Sequence, residues 1–364
     1  MNASSRRRGF PRMTDTSLDS ANMFELAASL PDQIAHSVRA ARNVENLPDR
    51  EKIEQVVVLG MGDSAIAGEI LVAAAAPFMP VPVLVVRSYE LPAFVGEGSL
   101  VFAISYSGQT EETLEVATEA AVQGAKVVVV SSGGRLAELA GNWGAPVVRV
   151  PKNIGHARMA LGALSIPPIA ILEEIGLFPG ASQWIDLAIE QLLRRRDELS
   201  QPGSIAEKVA EKLDGKVAII HGGGAVGSAA AQRWKTQINQ NANLPAFSAT
   251  QPEICHNEVL GWTALPELTR EVFAMVSLRH DDEHPQVSRR FDIVDETIAP
   301  SVATVIDVRA EGDGGLAQLL DLILIGDYMS LHLAARVGVD PRVNNFREEM
   351  QTALSHHSSE ESSL

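Results

Sequence analysis

Short apolar runs of five or six residues recur along the first half of the chain: QVVVLG (55–60), VPVLVV (81–86), LVFAIS (100–105), KVVVVS (126–131) and APVVRV (145–150). Near-continuous β-branched runs mark strands buried on both faces, which belong to parallel sheets covered by helices. The alanine-rich segment after Ser64 and TEETLEVATEAAVQ (110–123) supply the clearest intervening helices. The pattern predicts one doubly wound α/β domain.

A helical stretch from about Arg158 to Glu174 leads into GLFPGASQ (176–183), whose proline and glycines mark a joint. Alternation then resumes with KVAIIHGGG (216–224), a helix through Trp234, REVFAMVSL (270–278) and SVATVIDV (301–308). A last long helix, near 315–337, is apolar on more than one face. The expected architecture is two α/β halves with parallel sheets, joined by helices, the second less regular than the first.

Composition narrows the chemistry. A chain of 364 residues with 46% hydrophobic content can bury two cores. Its formal charge of −16 repels phosphate backbones and anionic lipid, so neither nucleic acid nor membrane is an expected partner. The single cysteine, Cys255, excludes an intrachain disulfide and a thiolate-rich zinc site, which fits a cytoplasmic protein. The apolar stretch 71–86 is broken by Pro77, Pro80 and Pro82, and no stretch is expected to span a membrane. The opening MNASSRRRGFPR carries four arginines and no acid, without the apolar core of a secretory signal. It reads as a disordered leader or an upstream start, with Met13 as the alternative start. The closing SHHSSEESSL, with His356 and His357, reads as a frayed tail.

Two glycine loops, Gly60-Met-Gly62-Asp-Ser-Ala65 and Gly222-Gly-Gly224-Ala-Val-Gly227, each follow a strand and open a helix, as in a dinucleotide fingerprint. That fingerprint also needs an acid at the end of the next strand. The first candidate strand ends at Arg87, and no following strand is evident after the second loop, so no nicotinamide cofactor is expected.

The strand LVFAIS carries a stronger signal, because it ends in Ser105-Tyr-Ser107-Gly-Gln-Thr110-Glu-Glu-Thr113, three hydroxyls around one glycine at a helix start. A phosphate is held by inward-pointing donors and by the positive end of a helix. One such hydroxyl alone reads as a helix cap. Three at the carboxyl end of a parallel strand make a phosphate cradle an equal reading.

The segments Gly60-Met-Gly-Asp-Ser-Ala-Ile-Ala-Gly68 and Ser105-Tyr-Ser-Gly-Gln-Thr-Glu-Glu-Thr113 resemble the SIS phosphosugar-binding domain. With Arg158 after Pro151, Arg233-Trp-Lys-Thr-Gln-Ile-Asn239, Pro252-Glu-Ile-Cys-His-Asn-Glu-Val-Leu-Gly-Trp262 and Gly326-Asp327, the chain resembles the bifunctional phosphoglucose/phosphomannose isomerase family from about residue 20 to 345. The resemblance implies two SIS domains, here residues 19–180 with an N-terminal helix and residues 181–345, after a leader over 1–18 and before a helix remnant and tail over 346–364. It also implies a homodimer that interconverts aldose and ketose 6-phosphates through a cis-enediol, with no metal and no cofactor. Ser105, Ser107 and Thr110 would then hold the phosphate of a small sugar phosphate, with Ser64 near the same groove. Arg158 would stabilise enediolate charge, and His256, donated by the partner subunit, would open the ring.

Three departures from the family pattern stand out. The family's proton-transfer glutamate is replaced by Gln240, an amide that cannot accept a proton near neutral pH. General acid–base catalysis supplies ~10²–10⁴-fold, so its loss would be severe unless another carboxylate substitutes; Glu253 and Glu258 are the nearby candidates. The lysine expected near the C-terminus is missing, Lys235 being the last, and Arg342 or Arg347 would offer only a fixed charge there. Asp63 replaces a glycine before Ser64. The expected function is a sugar-phosphate isomerase acting on glucose, mannose or fructose 6-phosphate; the alternative is an inactive phosphosugar-binding sensor. His280 and His284 have helical spacing but flank acids and Pro285, and read as a loop or helix start rather than a metal site.

Overall fold

The computed structural model describes residues 18–342 together with 349, 350 and 353. The expected leader up to residue 17, and Arg347, His356 and His357, lie outside the described residues.

Two helices, α1 (Met23–Ala28) and α2 (Leu30–Arg42), precede the first sheet. Its elements follow as β1 (Gln55–Leu59), α3 (Asp63–Ala75), β2 (Val83–Val86), β3 (Ser99–Ile104), α4 (Glu111–Val122), β4 (Lys126–Ser131), α5 (Gly134–Trp143) and β5 (Val147–Arg149). The strand order is β2-β1-β3-β4-β5, all parallel, with Val57 opposite Leu84 on one side and Val101 on the other. Successive strand residues face opposite sides of a sheet. Accordingly Val56, Val58, Leu100 and Phe102 pack with Ile66 and Ile70 of α3, while Val57, Val101 and Ala103 pack with Val116 and Ala117 of α4. The winding therefore reverses between β1 and β3, and α3 and α4 leave the sheet on opposite faces. That reversal opens a crevice at the carboxyl ends of the strands, where open α/β sheets bind ligands.

Helices α6 (Leu161–Glu174), α7 (Ala181–Leu199) and α8 (Ile205–Leu213) connect the halves. Arg158 does not begin the long helix, as the pattern had suggested: it sits in a single tight turn, Ala157–Met159, and α6 starts at Leu161.

The second sheet contains β6 (Val217–Gly223), α9 (Gly224–Asn241), β7 (Ala246–Gln251), α10 (Ile254–Asn257), α11 (Pro266–Val272), β8 (Phe273–Arg279), α12 (Pro285–Ile298) and β9 (Thr304–Arg309), closed by α13 (Gly315–Val337). Its order is β7-β6-β8-β9, again parallel. β7 corrects the sequence expectation that no strand follows the second glycine loop. It is an edge strand of small and hydroxyl-bearing residues, half exposed, so it has no apolar run to announce it. It ends in Gln251, which offers no carboxylate to a ribose. The glycines of that loop serve packing instead: a Cβ on Gly222 would lie 1.9 Å from the Gly227 carbonyl oxygen.

α13 also corrects an expectation, since by length and composition it is apolar enough to cross a membrane. Its apolar window is instead wholly buried inside the protein, packed on α7, α8 and α9. Gly326 lets α9 approach closely, a Cβ there falling 2.3 Å from the indole nitrogen of Trp234. That indole N–H donates to the Leu322 carbonyl at 2.7 Å.

Candidate active site

The loop after β3 is built around its own hydroxyls. Ser105, buried at the strand end, shares a 3.0 Å hydrogen bond with the Thr110 hydroxyl, and its Oγ accepts from the Gly108 amide at 3.1 Å. Ser107 Oγ, on the exposed side, accepts from the Gln109 amide at 3.2 Å. Thr110 occupies the cap position of α4 yet makes no capping hydrogen bond, so the helix start is left without a side-chain cap. Thr110 is thus not used in the way a lone helix-capping threonine would be. Gly108 has φ +66°, and a Cβ there would collide with the Gly133 carbonyl oxygen at 1.9 Å, so this turn requires glycine.

The loop after β1 closes the other side of the crevice. At Gly60 a Cβ would meet the Ile104 carbonyl oxygen and Ser64 at 3.2 Å, which sets the two loops against each other. Gly62, with φ +53°, starts α3 and likewise provides no side-chain cap. Asp63 and Ser64 follow, both buried.

Beneath the crevice lies a charged cluster. Arg233 of α9, with no exposed surface, donates to both oxygens of Asp327 at 2.8 and 2.9 Å, to Asp63 Oδ1 at 2.8 Å and to the Arg158 carbonyl at 2.6 Å. Burial opposes its charge, but Asp327 and Asp63 together outweigh that penalty and hold its pKa above the usual arginine value. Gln240, two turns further along α9, points its Nε2 at Asp63 Oδ2 across 3.5 Å. Arg158 donates to the Pro341 carbonyl, and its Nε is buried with no hydrogen-bond partner among the described residues. Burial lowers the Arg158 pKa, partly offset by the nearby Asp63 carboxylate, and a guanidinium stays protonated through such a shift. The same burial, reinforced by Arg158 and Arg342, depresses His156. The structure therefore joins Asp63, Arg158 and Gln240 around Arg233, with Ser64 next to Asp63 and close to the end of β3 across Gly60.

It does not join His256 to them within one chain. His256 is exposed on α10, and its backbone amide donates to the Glu253 carbonyl. Glu253 is exposed and accepts from Asn257 at 2.9 Å. Glu258 accepts from the Trp262 indole at 3.0 Å and lies 3.6 Å from His221; these contacts, His221 first, hold its pKa below the usual carboxylate range. Arg342 is exposed, its amide bonded to Asp340. His280 is buried rather than in an exposed loop, its Nε2 2.9 Å from the Gly223 carbonyl, while His284 caps α12 through the Gln286 amide. Among the described residues, no group of three histidine, cysteine or acidic side chains is placed to hold a metal.

Two supports escape sequence reasoning. Tyr106 donates its hydroxyl to the Lys152 carbonyl at 3.0 Å and accepts from the Gly155 amide at 2.9 Å, pinning the turn that leads to Arg158. Ser132, in the loop after β4, donates to the Tyr106 carbonyl at 2.6 Å. The run Ser131-Ser-Gly-Gly134 at the end of β4 was the available signal for that second loop.

Two doubly wound parallel sheets, with a hydroxyl-lined loop at the switch point of the first, define the double SIS-domain class of phosphosugar isomerases. Comparison with known proteins agrees: the SIS domain model matches residues 51–142, and that for the bacterial phospho-glucose isomerase C-terminal SIS domain matches 204–353. The bifunctional phosphoglucose/phosphomannose isomerase of Caldicellulosiruptor bescii is 35% identical over 323 residues, covering 88% of this chain and 95% of that protein. Its namesake from Aquifex aeolicus is 32% identical over 307 residues, 83% of this chain and 91% of the relative. The solved C-terminal domain of glucosamine-fructose-6-phosphate aminotransferase from Francisella tularensis shares the fold with a TM-score of 0.67 at 16% identity, covering 87% of this chain and 96% of that one. The chain belongs to the bifunctional phosphoglucose/phosphomannose isomerase family.

Proposed function

We propose that this protein interconverts fructose 6-phosphate with glucose 6-phosphate and mannose 6-phosphate through a cis-enediol. The observation that carries the reading is the Ser105–Thr110 hydroxyl pair, set at an uncapped helix start in the switch-point crevice beside the buried Arg158. In this reading Ser105, Ser107 and Thr110 hold the phosphate with the α4 amides, and Ser64 lines the same groove. Arg158, with its Nε–H unpartnered among the described residues, faces the oxygens on which enediolate charge develops, the kind of fixed donor that stabilises a transition state. The relatives, isomerases by name, give no support to an inactive sensor.

The site is completed in a homodimer, with His256 supplied by the partner subunit to open the sugar ring. Support comes from the surface around it: Phe247, Leu260, Leu265 and Leu268 are 56%, 80%, 63% and 53% exposed on the segments flanking His256. Clustered apolar surface of this kind marks an interaction site. The same chemistry fits a cytoplasmic enzyme.

A coupled assay tests the proposal. Fructose 6-phosphate should yield both glucose 6-phosphate and mannose 6-phosphate; binding without turnover would overturn it.

A further inference from the structure

Moving a proton between C1 and C2 of an open-chain sugar phosphate needs a group that takes the proton up and returns it. This inference rests on the isomerase reading above, and asks which side chain that group is. Gln240 has no basic atom. The carboxylates of the charged cluster and of the His256 segment differ in what they are free to do. Asp327 is buried and has both oxygens bound by Arg233. Glu258 is engaged by Trp262 and His221, and Glu253 is exposed and bonded to Asn257.

Asp63 is different. It opens α3 immediately before Ser64, with its side chain 10% exposed. Arg233 fixes one oxygen at 2.8 Å, while among the described residues the other meets only the Gln240 amide across 3.5 Å, at the outer limit of a hydrogen bond. One oxygen is thus oriented by a buried cation and the other retains lone pairs. Arg158 lies close enough for the Asp63 charge to act on it, and the Arg233 guanidinium binds both Asp63 and the Arg158 carbonyl.

We infer that Asp63 is the proton-transferring base of this isomerase. Two departures noted in the sequence, aspartate at 63 and glutamine at 240, are 177 positions apart in the chain and face each other in the fold. The carboxylate is supplied from α3 instead of α9, and the amide at 240 gives it a donor to lean on. A glutamate at 240 would instead set a second negative charge beside it, which like charges resist.

The step balances without an external oxidant. From the aldose, Asp63 takes the C2 proton and the C2–H electron pair forms the C1=C2 double bond, leaving negative charge on O1 beside Arg158. The protonated Asp63 then returns its proton to C1 as the C2 carbonyl forms, while the O2 proton passes to O1. C2 is oxidised and C1 reduced within the one molecule.

Three variants test this: Asp63→Asn, Asp63→Gly, and Asp63→Gly combined with Gln240→Glu. Asp63→Asn keeps the side-chain shape and should lower kcat by ~10²–10⁴-fold while fructose 6-phosphate binding, read by calorimetry, changes by only a few-fold. The double variant should turn over at least about tenfold faster than Asp63→Gly, because it restores a carboxylate to the same space. An Asp63→Asn protein with undiminished kcat would overturn the inference. Should Asp63→Asn fail to fold, the remaining pair decides, and equal rates for Asp63→Gly and the double variant would overturn it. A wild-type protein without turnover would instead remove the isomerase reading itself, and the base with it.

Discussion

The guanidinium of Arg233 grips both oxygens of Asp327, so helices α9 and α13 are tied together at one buried point. The same guanidinium reaches Asp63 on α3, which makes this knot the floor of the site as well as part of the core. Removing one partner of a buried pair costs about 3–5 kcal/mol, and here it would leave Arg233 with Asp63 as its one remaining carboxylate among the described residues. Asp327→Ala should show that loss in urea denaturation. A change of only about 0.5 kcal/mol, as at an ordinary surface position, would contradict the role.

Loss of the cradle hydroxyls should weaken binding before it weakens the fold. A hydrogen bond to a charged group contributes about 1.5–3 kcal/mol, so Ser105→Ala with Thr110→Ala should reduce phosphosugar affinity at least tenfold. Calorimetry measures it directly. The thermal stabilisation that saturating phosphosugar gives the wild type should shrink in parallel.

The proposed sharing of the site between subunits makes a specific prediction about mixtures. Arg158→Met and His256→Ala homodimers should both be nearly inactive. Mixed and reassembled in equal amounts, they should regain about a quarter of wild-type activity, because half the dimers are hybrids and each hybrid has one intact site. No regain would place His256 in the same subunit as the Arg158 it serves.

Acid should destabilise the protein through its buried histidines. Burial depresses His332, whose ring packs 5.0 Å from Phe24 with Nε2 unpartnered among the described residues, and it depresses His156 as well. A folded-state pKa below the ordinary 6.5 means that the unfolded chain binds more protons just beneath that pH. Their contribution is complete above about 6.5 and declines as pH falls through the folded-state value. Melting temperatures between pH 7 and 5.5 should fall, and should fall less in His332→Phe.

The first sheet is legible in the sequence because its inner strands β1, β3 and β4 are buried on both faces and read as unbroken apolar runs; β3 is buried at all six positions. β7 is not legible, since an edge strand of small hydroxyl-bearing residues looks like loop. The cluster of hydroxyls after β3 is legible because Ser105, Ser107 and Thr110 lie within six residues of one strand end. Arg233 does not, because its carboxylate partners stand 94 and 170 positions away and a helical arginine ordinarily reads as solvent-facing. The overall charge also takes on a sharper meaning. Setting the four leader arginines aside leaves 26 cations against 46 acids, −20 over residues 13–364, so in the proposed reading attraction for a phosphate comes locally from amides, hydroxyls and Arg158.

The most direct test follows fructose 6-phosphate by NMR in deuterated water with the purified protein. The account predicts glucose 6-phosphate and mannose 6-phosphate together, each carrying deuterium at C2 from exchange at the enediol stage. Fructose 6-phosphate that binds yet is recovered unconverted and unlabelled would contradict it.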